Sequence, residues 1–225
     1  MASRKLQHWT AFTAALLILF AAVNCLAEEP ARDHSCTVGA AVIFATPEGL
    51  DRQNFNHGGW GFQAGGGFAV TRQTEPNRGH TWYITGNYLY DKFRVRKSAL
   101  TEAIAKEPQL AGTTSAHGDF SAVTLDPTFR WVLNRHSSLY WSGGFGWLRR
   151  GIGFNGSSMV PPLLPSSSSL GGATSNSGAF DFGMGVNFAP ASFRGVMLFT
   201  EGRVYHGTAI NSGSTLVPIS IGLRW

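Results

Sequence analysis

The stretch TLVPISIGLRW at residues 215–225 has the clearest strand pattern in the chain. Side chains of a β-strand point alternately to its two faces, so every second residue shares a face. From Val217 onward one face is entirely apolar and the other is small or charged. The apolar face holds Val217, Ile219, Ile221, Leu223 and Trp225. A stripe that ends on a bulky aromatic residue is unusual for a soluble domain, so the stretch predicts a strand with one face in an apolar environment.

The composition favours a β-rich protein. Only 14% of the 225 residues are charged, against roughly 25% in soluble domains. Aromatic residues make up 12% of the chain and glycine occurs 28 times. Such frequent glycine argues against long helices, since each interior glycine costs about 1 kcal/mol relative to alanine. The formal net charge of +5 is mild, and no basic cluster interleaved with aromatic residues indicates nucleic-acid binding.

The beginning of the chain has the order of a secretory signal peptide. Arg4 and Lys5 form a positive head, and the apolar run AFTAALLILFAAV follows at 11–23. A site with small residues ends at Ala27. We therefore predict that residues 1–27 are a signal peptide that is removed on export.

A retained membrane anchor and a lipoprotein signal at Cys25 are the alternatives to a cleaved signal peptide. The apolar run is shorter than the roughly 20 residues of a spanning helix. Asn24, directly before Cys25, fits the lipoprotein pattern poorly. Cleavage after Ala27 would leave Cys36 as the only cysteine, so no internal disulfide is expected in the exported chain.

The rest of the chain alternates apolar and polar residues in eight stretches, each near the roughly 9–11 residues that a tilted membrane strand needs. The predicted strands are 37–45, 60–71, 80–93, 120–133, 138–149, 179–188, 196–206 and 215–225. In the sixth, Phe180, Phe182 and Met184 share one face, and Asp181 and Gly183 lie on the other. Alternation alone also suits a soluble barrel with an apolar interior.

The connections between the predicted strands favour a membrane barrel. The long ones are 46–59, 94–119 and 150–178, and the short ones are 72–79, 134–137 and 189–195. Membrane barrels have short periplasmic turns and longer outer loops. Nothing in a soluble barrel requires this alternation of short and long connections. We therefore predict residues 28–225 to be one all-β domain: an eight-stranded, antiparallel, up-and-down transmembrane β-barrel with its amino end in the periplasm.

Two outer loops have distinct compositions. The segment SALTEAIAK at 98–106 has the pattern of a short helix that Ser98 caps and Pro108 ends. It would pack over the barrel mouth or engage a partner, but a solvated local turn is the preferred interpretation. The segment 150–178 is rich in serine, proline and glycine, which predicts a flexible loop that buries little.

Ionisable residues fall on the small, polar face of several predicted strands. They are Asp126, Arg130, Asp181, Glu201, Arg203 and Arg224. The interior of an eight-stranded barrel is just wide enough for side chains to fill, and buried charges must be paired. We expect one network across the lumen, with Asp181 and Arg224 nearer its ends. Its members are Asp126, Arg130, Glu201 and Arg203. A filled lumen is favoured over an ion path, which would make the protein a narrow pore.

Tryptophans concentrate toward the ends of the predicted strands. Trp82, Trp131, Trp141 and Trp225 lie at the periplasmic ends, and Trp60 and Trp147 lie toward the opposite ends. Amphipathic rings prefer the two boundaries between water and lipid. The sequence therefore predicts two aromatic girdles around the barrel.

The leader, the alternating strands and the terminal stripe together resemble the small outer-membrane β-barrel family typified by the OmpA transmembrane domain and by OmpX. The resemblance covers the whole chain after the leader. The family's C-terminal assembly signal has an aromatic last residue and apolar residues two and four positions earlier, which correspond to Trp225, Leu223 and Ile221. The family most often ends on phenylalanine, so Trp225 is a departure. No periplasmic domain is expected after the barrel.

The resemblance implies a location in the bacterial outer membrane, contact with its lipid and lipopolysaccharide, and insertion by the barrel-assembly machinery. Members of the family differ widely in role, so activity does not follow from it. We predict a non-enzymatic protein that serves membrane structure, surface contact or adhesion, with an extracellular partner for its outer loops. No cofactor is expected. The seven histidines are scattered, and no pair has the spacing of a metal site.

The main alternative is a lipid-modifying outer-membrane enzyme resembling the lipid A deacylases. His206 is its candidate base, with Thr208 or Ser212 as the hydroxyl and Asn211 nearby. The sequence HGTA at 206–209 departs from the His-x-Ser-Asn pattern of those enzymes, so we interpret His206 as a residue at the lipid headgroups. A soluble ligand-binding barrel is the third alternative, and it would turn every apolar stripe inward.

Overall fold

The computed structural model of the chain describes residues 36–49, 51–71, 79–107, 110–156, 170, 174–189, 195–208 and 214–225. The predicted signal peptide and its cleavage site lie outside these residues, as does most of the serine-rich segment 150–178. Cys36 is disulfide-bonded in the uncleaved chain. An unpaired Cys36 is therefore expected only of a chain that has lost residues 1–27.

The described residues form strands joined by turns and two short helices. In chain order these elements are β1 (Cys36–Gly49), α1 (Asp51–Asn54), β2 (Gly59–Ala69), β3 (Gly79–Arg94), α2 (Lys97–Lys106), β4 (Ser115–Asn134), β5 (Ser137–Asn155), β6 (Thr174–Phe188), β7 (Met197–Gly207) and β8 (Ser214–Arg224). Neither helix is long and apolar enough to span a membrane.

The strands close into one barrel in chain order, and each pairs antiparallel with the next. β8 completes the ring on β1, where Ile221 stands opposite Val42. Val38 and Trp225 exchange both of their backbone hydrogen bonds, at 3.0 and 2.8 Å. The predicted eight-stranded, antiparallel, up-and-down barrel is confirmed. A closed ring has no unpaired strand edge.

The two ends of the barrel differ. The end at which β1 begins has the tight connection 135–136 between β4 and β5, and we call it the turn rim. The other end carries α1 and α2, and we call it the loop rim. Here β4 and β5 extend beyond their predicted bounds, and Ser115 pairs with Asn155. The prediction began β4 too late and ended β5 too early. In β5 the apolar alternation fades at residues 151–153 while backbone pairing continues.

The outward face of the barrel is apolar. Every strand contributes large apolar side chains that are more than a third exposed. Phe145, Phe182 and Ile221 are 65%, 56% and 67% exposed. Trp141 is exposed as well, so the apolar stripes do not converge on a central core.

The inward face is polar only in the half nearest the turn rim. In the loop-rim half an apolar cluster fills the lumen. Its largest strand residues are Ile43, Leu89, Phe93, Phe120, Leu148, Ile152, Tyr205 and Leu216. A plug contributed by the connections lies on them, and it consists of Phe55, Ala99, Leu100, Ala103, Leu110 and Leu170. The prediction of a small, polar inner face throughout is therefore wrong for this half.

The helix α2 belongs to this plug. Its residues Ala99, Leu100 and Ala103 are buried because their spacing places them on one helical face. Ser98 does not cap the helix: the N-cap is Arg96, which makes no side-chain capping hydrogen bond. The helix ends before Pro108, where the Glu107 N–H donates to the Ala103 carbonyl at 2.9 Å. The preferred interpretation of this segment as a solvated turn is wrong.

We expect Gly118→Ala to loosen the plug. Gly118 faces the Phe55 ring so closely that an added Cβ would overlap it, and Phe55 would have to leave its contacts with Phe93 and Phe120. Overpacking of this kind costs about 1–3 kcal/mol. The measurement is the urea midpoint of the purified barrel in detergent micelles. Gly202→Ala is the control, since a Cβ there meets no neighbour within 4 Å, and an equal loss in both variants would contradict the assignment.

Candidate functional site: the lumen

A single buried guanidinium organises the polar half of the lumen. The Arg203 side chain projects inward from β7 and is 2% exposed. Its Nη1 donates to Asp126 Oδ2 at 2.6 Å and also to Asp181 Oδ2, and its Nε donates to Glu201 Oε1 at 2.6 Å. Nη2 donates to Ser142 Oγ at 2.7 Å. One cation therefore holds three carboxylates and joins four strands.

Neutral donors complete the coordination of these carboxylates. Tyr140 Oη donates to Glu201 Oε2 at 2.7 Å, and Gln63 Nε2 donates to Oε1 of the same residue at 3.4 Å. Asn87 Nδ2 donates to Asp126 Oδ2 at 2.6 Å. Since hydrogen bonds to charged groups are worth about 1.5–3 kcal/mol each, these donors offset part of the cost of burying three carboxylates beside one cation.

The structure brings together part of the predicted charge network. Asp126, Glu201 and Arg203 meet as expected. Asp181 does not lie apart near one end, because its carboxylate binds Arg203 directly. Arg130 is not in this group: its Nε donates to Ser138 Oγ at 3.0 Å and its Nη2 approaches Met197 Sδ at 3.6 Å.

Arg224 lies near the turn rim, apart from the Arg203 cluster. Its Nη1 donates to Asn187 Oδ1 at 3.0 Å. Its guanidinium carbon lies 4.5 Å from the centroid of the Tyr140 ring and 4.6 Å from that of Phe199. The two rings fix the orientation of the guanidinium through cation–π contacts.

Sequence reasoning missed the neutral members of the cluster. Tyr140 carries the clearest signal, because it is a bulky residue on the small inner face and stands opposite Gly185 in register. A Cβ at Gly185 would overlap the Tyr140 phenol, so the glycine leaves the space through which Tyr140 reaches Glu201. Without the register between β5 and β6, the sequence does not indicate this pairing.

A second buried ion pair, also missed, lies at the loop rim. Arg150 Nη1 donates to Asp51 Oδ1 at 2.7 Å, and the two side chains are 3% and 1% exposed. Burial raises the pKa of Asp51 above its ordinary value, and the Arg150 guanidinium and the Ser214 hydroxyl lower it only in part. The pair was missed because Arg150 was placed in a loop, although it continues the inward positions of β5 after Leu148.

Two arginines anchor the backbone of the plug. Arg150 Nη2 donates to the Leu170 carbonyl at 3.4 Å. Arg96 Nε donates to the Phe55 carbonyl at 2.8 Å. The plug is therefore fixed by polar contacts to the strand ends as well as by apolar packing.

The six predicted girdle tryptophans all lie on the outward face. Trp82 and Trp141 flank Phe129 near the turn rim, with ring centroids 5.0 and 4.5 Å from it, and Trp131 and Trp225 lie at the same end. Trp60 packs on Phe44 at 5.2 Å on the loop-rim side. Trp147 lies on β5 toward the same side. The rings thus form two levels around the barrel.

The residues matched to the C-terminal assembly signal lie on the outward face of β8 and just beyond it. Ile221, Leu223 and Trp225 are 67%, 41% and 41% exposed. The backbone of Trp225 pairs with Val38 at the point where the ring closes.

His206 has a different hydroxyl neighbour from the one predicted. Its Nδ1 lies 2.9 Å from Thr215 Oγ1, the residue opposite it on β8. Thr208 instead donates to the Gly178 carbonyl at 3.0 Å, so its proposed pairing with His206 is wrong. Ser212 and Asn211 lie outside the described residues.

No protein-family model matches the sequence, and no curated protein matches it. Among solved structures, the chain is similar to Ail, the attachment invasion locus protein of Yersinia pestis, at 13% identity and a TM-score of 0.48, over 84% of this chain and 97% of that one. It is similar to Neisserial surface protein A at 12% identity and a TM-score of 0.48, over 84% and 96% of the two chains. For the outer membrane protein OprG from Pseudomonas aeruginosa the values are 8% identity, a TM-score of 0.46, and 84% and 93% coverage. Likenesses of this size assign neither a family nor a function.

We expect Arg203→Met to destabilise the barrel strongly. The substitution leaves three buried carboxylates without their shared cation, and breaking a buried ion pair in this way costs about 3–5 kcal/mol. The measurement is the urea midpoint in micelles, with Ser142→Ala as the control that removes a neutral hydrogen-bond partner. Adding Asp126→Asn and Asp181→Asn to the Arg203→Met variant should restore part of the loss. A stable Arg203→Met variant would show that the cluster is dispensable.

Proposed function

We propose that this chain is an exported outer-membrane β-barrel protein with a non-enzymatic role in membrane structure, surface contact or adhesion. In this proposal residues 1–27 are removed and residues 28–225 form the barrel. The loop rim faces the exterior and the turn rim faces the periplasm. The observation that carries the proposal is the ring of exposed apolar side chains around a lumen that contains the buried charges.

The outward face supports the membrane placement. Large apolar side chains such as Phe145 and Ile221 would be costly in water on all eight strands at once, whereas lipid tails accept them without penalty. Rings such as Trp60 and Trp82 mark two levels, as expected at two lipid boundaries. Lipid and lipopolysaccharide would contact this belt. In the proposal the stripe of Ile221, Leu223 and Trp225 is read by the barrel-assembly machinery.

The loop-rim surface supports a contact role. Its helices α1 and α2 hold a defined shape over the plug and expose polar residues, among them the basic Arg52 and Lys97. A rigid, solvated surface suits binding to an extracellular partner or to anionic groups at the cell surface. Thr208 gives the lipid-modifying alternative no support, because its hydroxyl bonds the Gly178 carbonyl. The exposure of the apolar belt disfavours a soluble ligand-binding barrel.

Phe182→Arg tests the membrane placement. Phe182 is 56% exposed in the middle of the outward face of β6, and an arginine at mid-membrane depth costs about 2–4 kcal/mol. We expect less protein in the outer-membrane fraction and loss of the heat-modifiable gel migration of a folded barrel. Ser115→Arg is the control, since this exposed residue begins β4 at the loop rim. Normal assembly of Phe182→Arg, or a native protein soluble without detergent, would contradict the proposal.

Planar-bilayer recordings test whether the lumen is closed. The plug and the Arg203 cluster obstruct it independently, so we expect no steady large conductance from the wild-type protein. Leu100→Asp places a carboxylate in the apolar plug but leaves the Arg203 cluster intact, so it should stay closed as well. A general porin incorporated by the same procedure is the positive control. Steady large conductance from the wild type would identify the protein as a pore.

A further inference from the structure

A cavity occupies the polar half of the lumen. Its empty space is about 680 Å³, a volume that includes solvent in the open mouth. Arg130 and Arg224 line it together with polar and aromatic side chains. Both arginines are only partly buried, so solvent reaches the cavity from the turn rim. The plug and the Arg203 cluster close its far side.

The two arginines of this cavity are held in place by neutral partners. Arg130 Nε and Asn187 Nδ2 both donate to Ser138 Oγ, at 3.0 and 3.1 Å. Asn187 Oδ1 in turn accepts from Arg224 Nη1 at 3.0 Å. A short chain of hydrogen bonds therefore joins the two guanidinium groups and leaves most of their N–H donors unused by these contacts.

Neither arginine forms a salt bridge with a carboxylate of the described residues. The three carboxylates of this half are instead bound by Arg203, and Asn87 and Tyr140 donate to two of them. Among the described residues, this half of the lumen contains three carboxylates and three guanidinium groups and is therefore balanced in charge. Each carboxylate already binds Arg203, whereas the rim guanidinium groups have N–H donors but no carboxylate acceptor among the described residues.

We propose that this cavity binds a small oxyanion of the phosphate class, held by Arg130 and Arg224. Two forked guanidinium groups match the oxygens of a phosphate, and the rings of Tyr140 and Phe199 hold one of them in place. The ligand is inorganic phosphate or a small phosphate ester. The ligand would enter from the periplasm only if the barrel has the orientation proposed above. The binding site itself does not depend on that orientation.

Isothermal titration calorimetry of the protein purified from membranes into micelles tests the site. Inorganic phosphate is titrated at constant ionic strength, and glycerol phosphate in a second series. We expect wild-type binding, and a loss of affinity of about tenfold or more in Arg130→Gln and in Arg224→Gln, as removal of one charge-assisted hydrogen bond predicts. Tighter binding of glycerol phosphate would identify an ester as the ligand. Arg135→Gln is the matched control, since Arg135 is exposed at the same rim and does not line the cavity.

Three outcomes would overturn the proposal. The first is no heat of binding from the wild type with either probe at millimolar concentration. The second is equal weakening in Arg135→Gln, which would indicate non-specific attraction to the rim. The third is unchanged affinity in both cavity variants. If a glutamine variant does not fold, Arg130→Lys is the replacement test. It keeps the positive charge but lacks the bidentate geometry of the guanidinium, so it should bind phosphate more weakly than the wild type. Because the titration is done in micelles, its failure leaves the membrane placement untouched.

Discussion

The pairing of β8 with β1 sets the limits within which all the inward side chains pack. It closes the sheet, and a closed sheet of eight strands has an interior just wide enough for side chains to fill. Every inward side chain must then pack against other inward side chains, and every inward charge must find its partner there. Arg203 fits because Gly183 stands opposite it on β6: a Cβ at Gly183 would crowd the arginine stem.

The different chemistry of the two halves of the lumen follows from the connections. At the loop rim, the segments that form α1 and α2 are long enough to fold back over the mouth, so apolar residues such as Leu100 and Phe55 exclude water from that half. At the turn rim, the two-residue connection 135–136 is too short to fold over the opening. The side chains of this half are mostly polar, and among them Arg130 and Arg224 are only partly buried.

The sequence was sufficient for the barrel and only partly sufficient for its interior. A period of two identifies the outward residues because lipid-facing positions need only be apolar, so Phe182 and Ile221 were placed correctly from pattern alone. Partners across the lumen are not a local property. The pairing of Asp181 with Arg203, and the separation of Arg130 from both, depend on strand register and on side-chain reach. The plug was missed for a similar reason: Ala99, Leu100 and Ala103 are apolar enough to be buried, but nothing in the sequence indicates what covers them.

The Arg203 cluster also explains how one register is selected among several. A shift of one residue between neighbouring strands turns every side chain to the opposite face. The apolar belt alone resists a shift of two residues weakly, because lipid accepts phenylalanine, valine or leucine at any outward position. The inner face is less tolerant: a two-residue slip of β7 against β6 would place Arg203 opposite Asp181 or Gly185 instead of Gly183. In either case its guanidinium would move along the barrel, away from Asp126 and Ser142. The buried charges thus specify alignment along the strands, whereas the outer belt specifies only which face points outward.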